Sequence, residues 1–192
     1  KDEVSKQSRV GLEDWLEHME NCTVYRGHAR FESTHEVSVG GERLRAEKIF
    51  INVGGRAFVP DMPGIGEIDF LTNSSMMSVD FLPKHLIVVG GSYIGLEFGQ
   101  MFRRFGSEVT VIEMGPRLIG REDEDVSAAV REIFEHEGVQ VRLNAKCISF
   151  AKRGDEIVAK VDCTDGAPQV QGTHVLLAVG RVPLSYNLRN LW

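Results

Sequence analysis

The sequence has little cysteine, fewer basic than acidic residues and no long apolar run. Each shortage removes a class of protein. Its three cysteines, Cys22, Cys147 and Cys163, lie far apart. They form no C-x-x-C pair, no metal spacing and no even disulfide framework. The expectation is reduced, mostly buried thiols in a cytoplasmic protein. Six histidines are present, none at zinc-site spacing, so no metal is expected. Lys and Arg number 22 against 28 acids, a net charge of −6. With no dense basic run, that balance argues against a nucleic-acid partner. The longest apolar runs are too short to span a bilayer, so no membrane partner is expected. Lys1-Asp2-Glu3 opens a polar amphipathic segment, which does not read as a signal peptide. Neither an internal repeat nor a low-complexity tract is found. What remains is a chain of 192 residues, 42% hydrophobic and 26% charged, the composition of one or two soluble globular domains.

The informative stretch runs from His85 to Glu113. His85–Val89 is a short apolar run, β-branched in its second half, as in a parallel strand buried on both faces. Gly90-Gly91-Ser92-Tyr93-Ile94-Gly95 follows at once. Ile94, Phe98, Met101, Phe102 and Phe105 then recur at helical spacing and predict one buried face. Gly106 is placed to end that helix in a left-handed turn. A second apolar strand, Glu108–Ile112, stops at the acid Glu113. Strand, glycine-rich turn, helix, strand and acid are the order of a dinucleotide-binding unit. Gly90 permits the sharp turn, and the next positions let backbone N–H groups approach a pyrophosphate at the helix N-terminus. Gly95 lets the helix lie close on the strand. Glu113, about 20 residues on, can accept hydrogen bonds from a ribose 2′-hydroxyl, which favours NAD over its 2′-phosphorylated form. Ser92 stands where the fingerprint usually has its middle glycine. The bland alternative is a glycine-rich α/β turn with no ligand.

The flanking sequence is read more coarsely. Residues 4–19 look helical, with Val10, Leu12, Trp15, Leu16 and Met19 as a rough apolar face. Thr23–Phe31 reads as a strand kinked at Gly27. Glu36–Val39 and Leu44–Ala46 flank Gly40-Gly41, a two-residue hairpin. Lys48–Val53 reads as a buried strand, and Pro60, Pro63 and Gly64 as an exit linker. Beyond Glu113, Asp123 is a possible cap for a helix marked by Val126, Ala129, Val130, Ile133 and Phe134, which Gly138 stops. Val139–Leu143 is a third strand. Cys147–Ala151 and Ile157–Val161 predict an antiparallel hairpin, Asp165-Gly166 a further turn, and Thr173–Val179 a closing buried strand. The fold class is α/β: a Rossmann-like βαβαβ three-layer domain with a β-meander.

Val88–Glu97, Glu113, the meander and Leu177-Ala178-Val179-Gly180-Arg181-Val182-Pro183 together resemble the class I pyridine nucleotide–disulfide oxidoreductases. These are FAD flavoproteins such as mercuric reductase and dihydrolipoamide dehydrogenase. Gly27-His28-Ala29 and Ile51–Gly54 resemble the second half of that family's FAD domain. The resemblance implies residues 1–66 as a partial β-rich FAD-domain segment, 67–187 as the NAD(P)H-binding domain and 188–192 as a tail. It also implies a central fragment, without the FAD fingerprint, the C-x-x-x-x-C redox disulfide or the C-terminal dimerisation domain of a homodimeric parent. FAD is therefore expected in the parent and not on this chain, where Gly27-His28-Ala29 and Gly54 would be structural remnants.

By the same resemblance Tyr93 is an aromatic gate over the nicotinamide, or simply packing at a helix start. Glu97 is the catalytic-site acid near the nicotinamide carboxamide, or a solvated helix acid. Gly180 approaches the nicotinamide end, or only turns the chain. Met114 lies beside the ribose acid. Cys147 lines the adenine pocket, or is a plain core thiol. The implied activity passes hydride from NADH to flavin and on to a disulfide or metal ion. The alternatives are an NADH oxidase or ferredoxin-reductase-like flavoprotein, or a nucleotide-binding module without turnover.

Overall fold

A computed structural model describes residues 1–162 and 167–185, with every side chain among them except that of Cys147. The predicted Asp165-Gly166 turn, Cys163 and the 188–192 tail lie outside the described residues. Contacts divide the chain into two units, and Lys1–Val53 and Gly54–Leu184 are taken in turn.

Lys1–Val53 holds helix α1 (Asp2–Glu17) and an antiparallel sheet of β1 (Arg30–Ser33), β2 (Glu36–Val39) and β3 (Glu42–Arg45). Gly40 and Gly41 join β2 to β3 at φ 59 and 89. These left-handed conformations are what the tightest hairpin turns demand. Four expectations are corrected here. No residue on the apolar face of α1 is fully buried, and Trp15 is 59% exposed. Cys22 is exposed rather than buried. The strand read over 23–31 starts only at Arg30, after Gly27 has taken the chain out of extended geometry at φ +146. Lys48–Val53 is not a strand, and Phe50 is 91% exposed. An apolar run becomes a strand only where a neighbour completes its ladder, and no described strand pairs with this one.

Gly54–Leu184 opens with β4 (Gly55–Ala57), a 3-10 turn (Ile65–Glu67) and the short helix α2 (Asn73–Met76). Then come β5 (His85–Val89), α3 (Tyr93–Phe105), β6 (Glu108–Ile112), α4 (Glu124–His136) and β7 (Gln140–Arg142). Three antiparallel strands follow, β8 (Lys146–Arg153), β9 (Glu156–Asp162) and β10 (Gln169–Gly172). The unit closes with β11 (His174–Leu177) and β12 (Arg181–Pro183). The central sheet is parallel, in the order β11-β5-β6-β7. The expected α/β architecture is present. The sequence reading missed β10 and the β4–β12 ribbon.

The sheet is buried on both faces because its strands are apolar at consecutive positions. Leu86 and Val88 of β5 and Val109 and Val111 of β6 pack with Leu96, Phe102 and Phe134 of the helices. Ile87, Val89, Ile112, Val175 and Leu177 pack on the other side with Phe150, Ile157, Ala159 and Val170 of the meander. Helices, sheet and meander are thus the three layers.

Two helix faces differ from those predicted. The buried positions of α3 are Gly95, Leu96, Gly99 and Phe102, while Phe105 is 62% exposed. The glycines bring the helix axis close to the sheet, and that turns the face away from the bulkier periodicity. In α4 Ser127 and Phe134 are buried and Val126 and Ile133 exposed. Asp123 is the N-cap by position but makes no side-chain cap bond. Gly106 and Gly138 end the two helices at φ 112 and 80, as expected. Residues 60–64 are not a loose linker. Met62 and Ile65 pack against the meander core, and Pro63 accepts a hydrogen bond from the Phe150 amide at 2.8 Å.

The entering end of the parallel sheet carries His85. Its Nε2 lies 2.9 Å from the hydroxyl of Thr110, which is fully buried. Burial pushes its pKa below the ordinary 6.5, and only Glu108, 3.6 Å away, pulls it back. The unfolded chain therefore binds this proton more tightly than the folded one. Stability is full above the ordinary histidine value and falls as the pH drops through it. Urea melts between pH 7.5 and 5.5 are expected to show this loss, and His85→Gln is expected to flatten it. An equal slope in both proteins would exclude His85 as the source.

Candidate functional site

The register of the parallel sheet sets three strand ends at one level. Leu177 pairs with Val89 and Val89 with Ile112. The next residues are Ala178, Gly90 and Glu113, and their amides continue the ladder to Val89, Ile112 and Arg142, each at 2.8 Å. The chain leaves the sheet at the same edge from β5, β6 and β11. This is the edge where open α/β sheets bind ligands.

Gly90 turns there at φ +110. A Cβ at this residue would come within 2.4 Å of the Ala178 carbonyl oxygen. Gly91 passes so close to β6 that its amide donates to Glu113 Oε2 at 2.6 Å. The other oxygen of Glu113 accepts the Gly115 amide at 2.7 Å. The carboxylate thus pins both glycine-bearing loops, and each oxygen keeps a lone pair for a further donor. Ser92 is the N-cap of α3 and makes no side-chain cap bond. The helix therefore presents the amides of its first turn, at its positive end, without a side-chain cap.

A cleft of about 1020 Å³ opens over this edge. Gly91, Ser92, Tyr93, Ile94, Glu113 and Gly180 line it. Gly90 and Gly95 lie beneath it, Gly95 buried against the strand. Glu97 and Met114 are exposed and outside the lining. The Cys147 side chain lies outside the described atoms. Lining residues with polar or cationic side chains that the reading from sequence missed include Asn73, Ser127 and Arg131. Arg131 gave no signal because it sits on a helix among charged neighbours, where its pairing with Glu135 at 2.8 Å reads as a solvated surface contact. Arg117 also lines the cleft, and its guanidinium donates to the Gly120 carbonyl at 3.2 Å. Tyr93 is 50% exposed, and its hydroxyl donates to the Glu122 carboxylate. That contact holds the phenol above its ordinary pKa. The arrangement offers amides and guanidinium groups to an anion, a carboxylate to hydroxyl groups, and the apolar Leu143 and Leu177 to flat rings.

Against known proteins, residues 3–191 match the family model for pyridine nucleotide-disulphide oxidoreductases. The chain belongs to that family. Among curated members it is 35% identical over 142 residues to a mercuric reductase of Streptomyces lividans, covering 74% of this chain and 30% of the relative. A dihydrolipoyl dehydrogenase of Thermus scotoductus is 33% identical over 165 residues, 85% of this chain and 36% of the relative. Among solved structures, the HOCl-induced flavoprotein disulfide reductase RclA from Escherichia coli superposes with a TM-score of 0.84 at 32% identity. It matches 98% of this chain and 43% of its own. This pyridine nucleotide-disulphide oxidoreductase chain therefore spans less than half the length of each of these relatives. Among its described residues no helix is long and apolar enough to cross a membrane, and no cluster of His, Cys, Asp and Glu could hold a metal ion.

Proposed function

We propose that Gly54–Leu184 binds NADH in the cleft at the leaving edge of the parallel sheet. The observation that carries this reading is the Glu113 carboxylate held against the Gly91 amide, beside the open first turn of α3. One short segment then supplies the amides for a pyrophosphate and the acid for a ribose. The adenosine half would lie toward Met114, Arg117 and Leu143, with Cys147 at the adenine. The nicotinamide half would lie toward Gly180, with Tyr93 and Glu97 serving that end.

Among the described residues, only the turn from β5 to α3 joins a strand to a helix through adjacent glycines. The other two long helices open on acids, α1 on Asp2 and Glu3 and α4 on Glu124 and Asp125, which repel a pyrophosphate. These residues do not fit FAD, and no step through a flavin is derived from them. In the whole protein a flavin would supply the redox chemistry between NADH and a disulfide or a metal-ion substrate, and the functional unit would be a homodimer.

NADH is proposed over NADPH. A 2′-phosphate carries nearly two negative charges and would meet the Glu113 carboxylate, a like-charge contact worth several kcal/mol where water is excluded. Of the four arginines in the lining, Arg117 is turned to the Gly120 carbonyl, Arg131 to Glu135 and Arg181 to the Gly55 carbonyl, which leaves Arg121, near the Tyr93 hydroxyl, as the cation that could meet a 2′-phosphate. Glu113 is only half-buried, so a preference of about tenfold is expected. Isothermal titration with each nucleotide measures it. Glu113→Gln, which keeps an oxygen acceptor and removes the charge, is expected to narrow the gap. Equal or tighter NADPH binding by the unsubstituted chain would overturn the assignment.

A further inference from the structure

Gly91 is held on both sides. Its amide donates to Glu113, and its carbonyl accepts the Ile119 amide at 2.8 Å. The bond to the carbonyl has a further effect. A peptide is planar and trans, so the Gly91 carbonyl and the Ser92 N–H point in opposite directions from one plane. Whatever fixes that carbonyl also aims the Ser92 amide, at the N-cap of α3. Ile119 belongs to the segment between β6 and α4. It is a β-branched residue at φ 40, a conformation such side chains rarely adopt without support from their surroundings. The support comes from α4. Ser127 is 2% exposed, and its hydroxyl donates to the Leu118 carbonyl at 2.5 Å. Leu118 is fully buried, and it stands so close to Gly91 that a Cβ there would come within 2.7 Å of Leu118 Cδ2. Ser127 lines the cleft, but its one proton is committed to Leu118, so it has none to give to a phosphate.

We infer that Ser127 is a positioning residue for the dinucleotide: through the Leu118 carbonyl and the Ile119 amide it sets the plane of the Gly91–Ser92 peptide, and so aims the Ser92 amide at the pyrophosphate. This rests on the proposed nucleotide site. Without the Ser127 hydroxyl the Leu118 carbonyl loses its side-chain donor, Ile119 is free to leave the left-handed region, and its amide swings away from Gly91. The ribose acid Glu113 keeps a separate anchor, the Gly115 amide at 2.7 Å. The effect of Ser127 therefore follows the phosphates of a ligand and not its adenosine.

Ser127→Ala removes the hydroxyl, and Ser127→Cys fills the same space with a weaker donor. Both variants and the unsubstituted chain are titrated with NADH, ADP and adenosine, by calorimetry for the first two and by NMR chemical shifts for the third. Thermal melting shows that each protein is folded. Ser127→Ala is expected to weaken NADH and ADP about tenfold and adenosine less than about twofold, with Ser127→Cys between it and the unsubstituted chain. Equal weakening of all three ligands would show a general loosening of the fold and would overturn the positioning role. So would unchanged ADP binding by folded Ser127→Ala. Amide hydrogen exchange in the unsubstituted chain needs no variant. The Ile119 amide is expected to be protected without nucleotide, and exchange as fast as in an open loop would overturn the inference even if neither variant folds. No binding of NADH or ADP by the unsubstituted chain would overturn the nucleotide site and this role with it.

Discussion

Gly95→Val is expected to damage both the fold of Gly54–Leu184 and its binding of nucleotide. A Cβ on Gly95 would stand 2.1 Å from the Gly90 carbonyl oxygen, 3.1 Å from Val88 Cγ1 and 3.3 Å from Ala178 Cβ. The nearest of these is backbone. It belongs to a glycine whose own amide is tied to Ile112 at 2.8 Å, so it cannot yield cheaply. Overpacking usually costs about 1–3 kcal/mol, and a valine adds two methyl groups to a Cβ that already collides. A loss of about 3 kcal/mol or more is expected from a total of roughly 5–15. The same shift would move α3 off β5 and carry the Gly91 and Ser92 amides out of line. Gly99→Ala is the comparison. Its Cβ would meet Val109 Cγ1 at 3.6 Å, ordinary contact, and replacing a helix glycine recovers about 0.5–1 kcal/mol. Urea denaturation and NADH titration of both variants decide the matter. If Gly95→Val melts like the parent and merely loses affinity, Gly95 is not the contact between helix and strand.

Gly64→Ala is expected to be as damaging, although it lies outside the cleft lining. Its Cβ would fall 1.8 Å from the Phe150 carbonyl oxygen and 2.8 Å from the carbonyl carbon. The residue also sits at φ +79, where a side chain is disfavoured. The conformational cost is about 1–2 kcal/mol. Separating the segment from β8 would also lose the hydrogen bond from the Phe150 amide to Pro63, about 1 kcal/mol. With the steric displacement added, the variant should lose about 3 kcal/mol or more. Gly154→Ala isolates the conformational part. Gly154 is at φ +63 with nothing within 4 Å of its Cβ position, so about 1–2 kcal/mol is expected there. Similar midpoints for the two variants in urea would show that the Gly64–Phe150 approach is not tight.

The sequence by itself determined the elements whose signals are local. The apolar strand at His85–Val89, the turn at Gly90-Gly91, the helix ends at Gly106 and Gly138 and the Gly40-Gly41 hairpin each depend on a few adjacent residues. Glu113 was legible for the same reason, as an acid placed directly after an apolar strand. Gly115, two residues on, was not singled out, and the structure shows its amide held by the same carboxylate. Tertiary structure decided whatever depends on a partner distant in sequence. Lys48–Val53 has the composition of a strand but no described neighbour, and the face of α1 has the right period but, among the described residues, no residue of it is fully buried. The buried side of α3 follows its two glycines rather than Met101 and Phe105, because close approach to Val88 decides which side faces inward. Arg131 enters the cleft from α4 only because β6 and β7 stand side by side in the sheet. The Tyr93–Glu122 bridge joins residues 29 apart. Periodicity cannot specify such a contact, since it depends on how the chain is brought back across its own sheet.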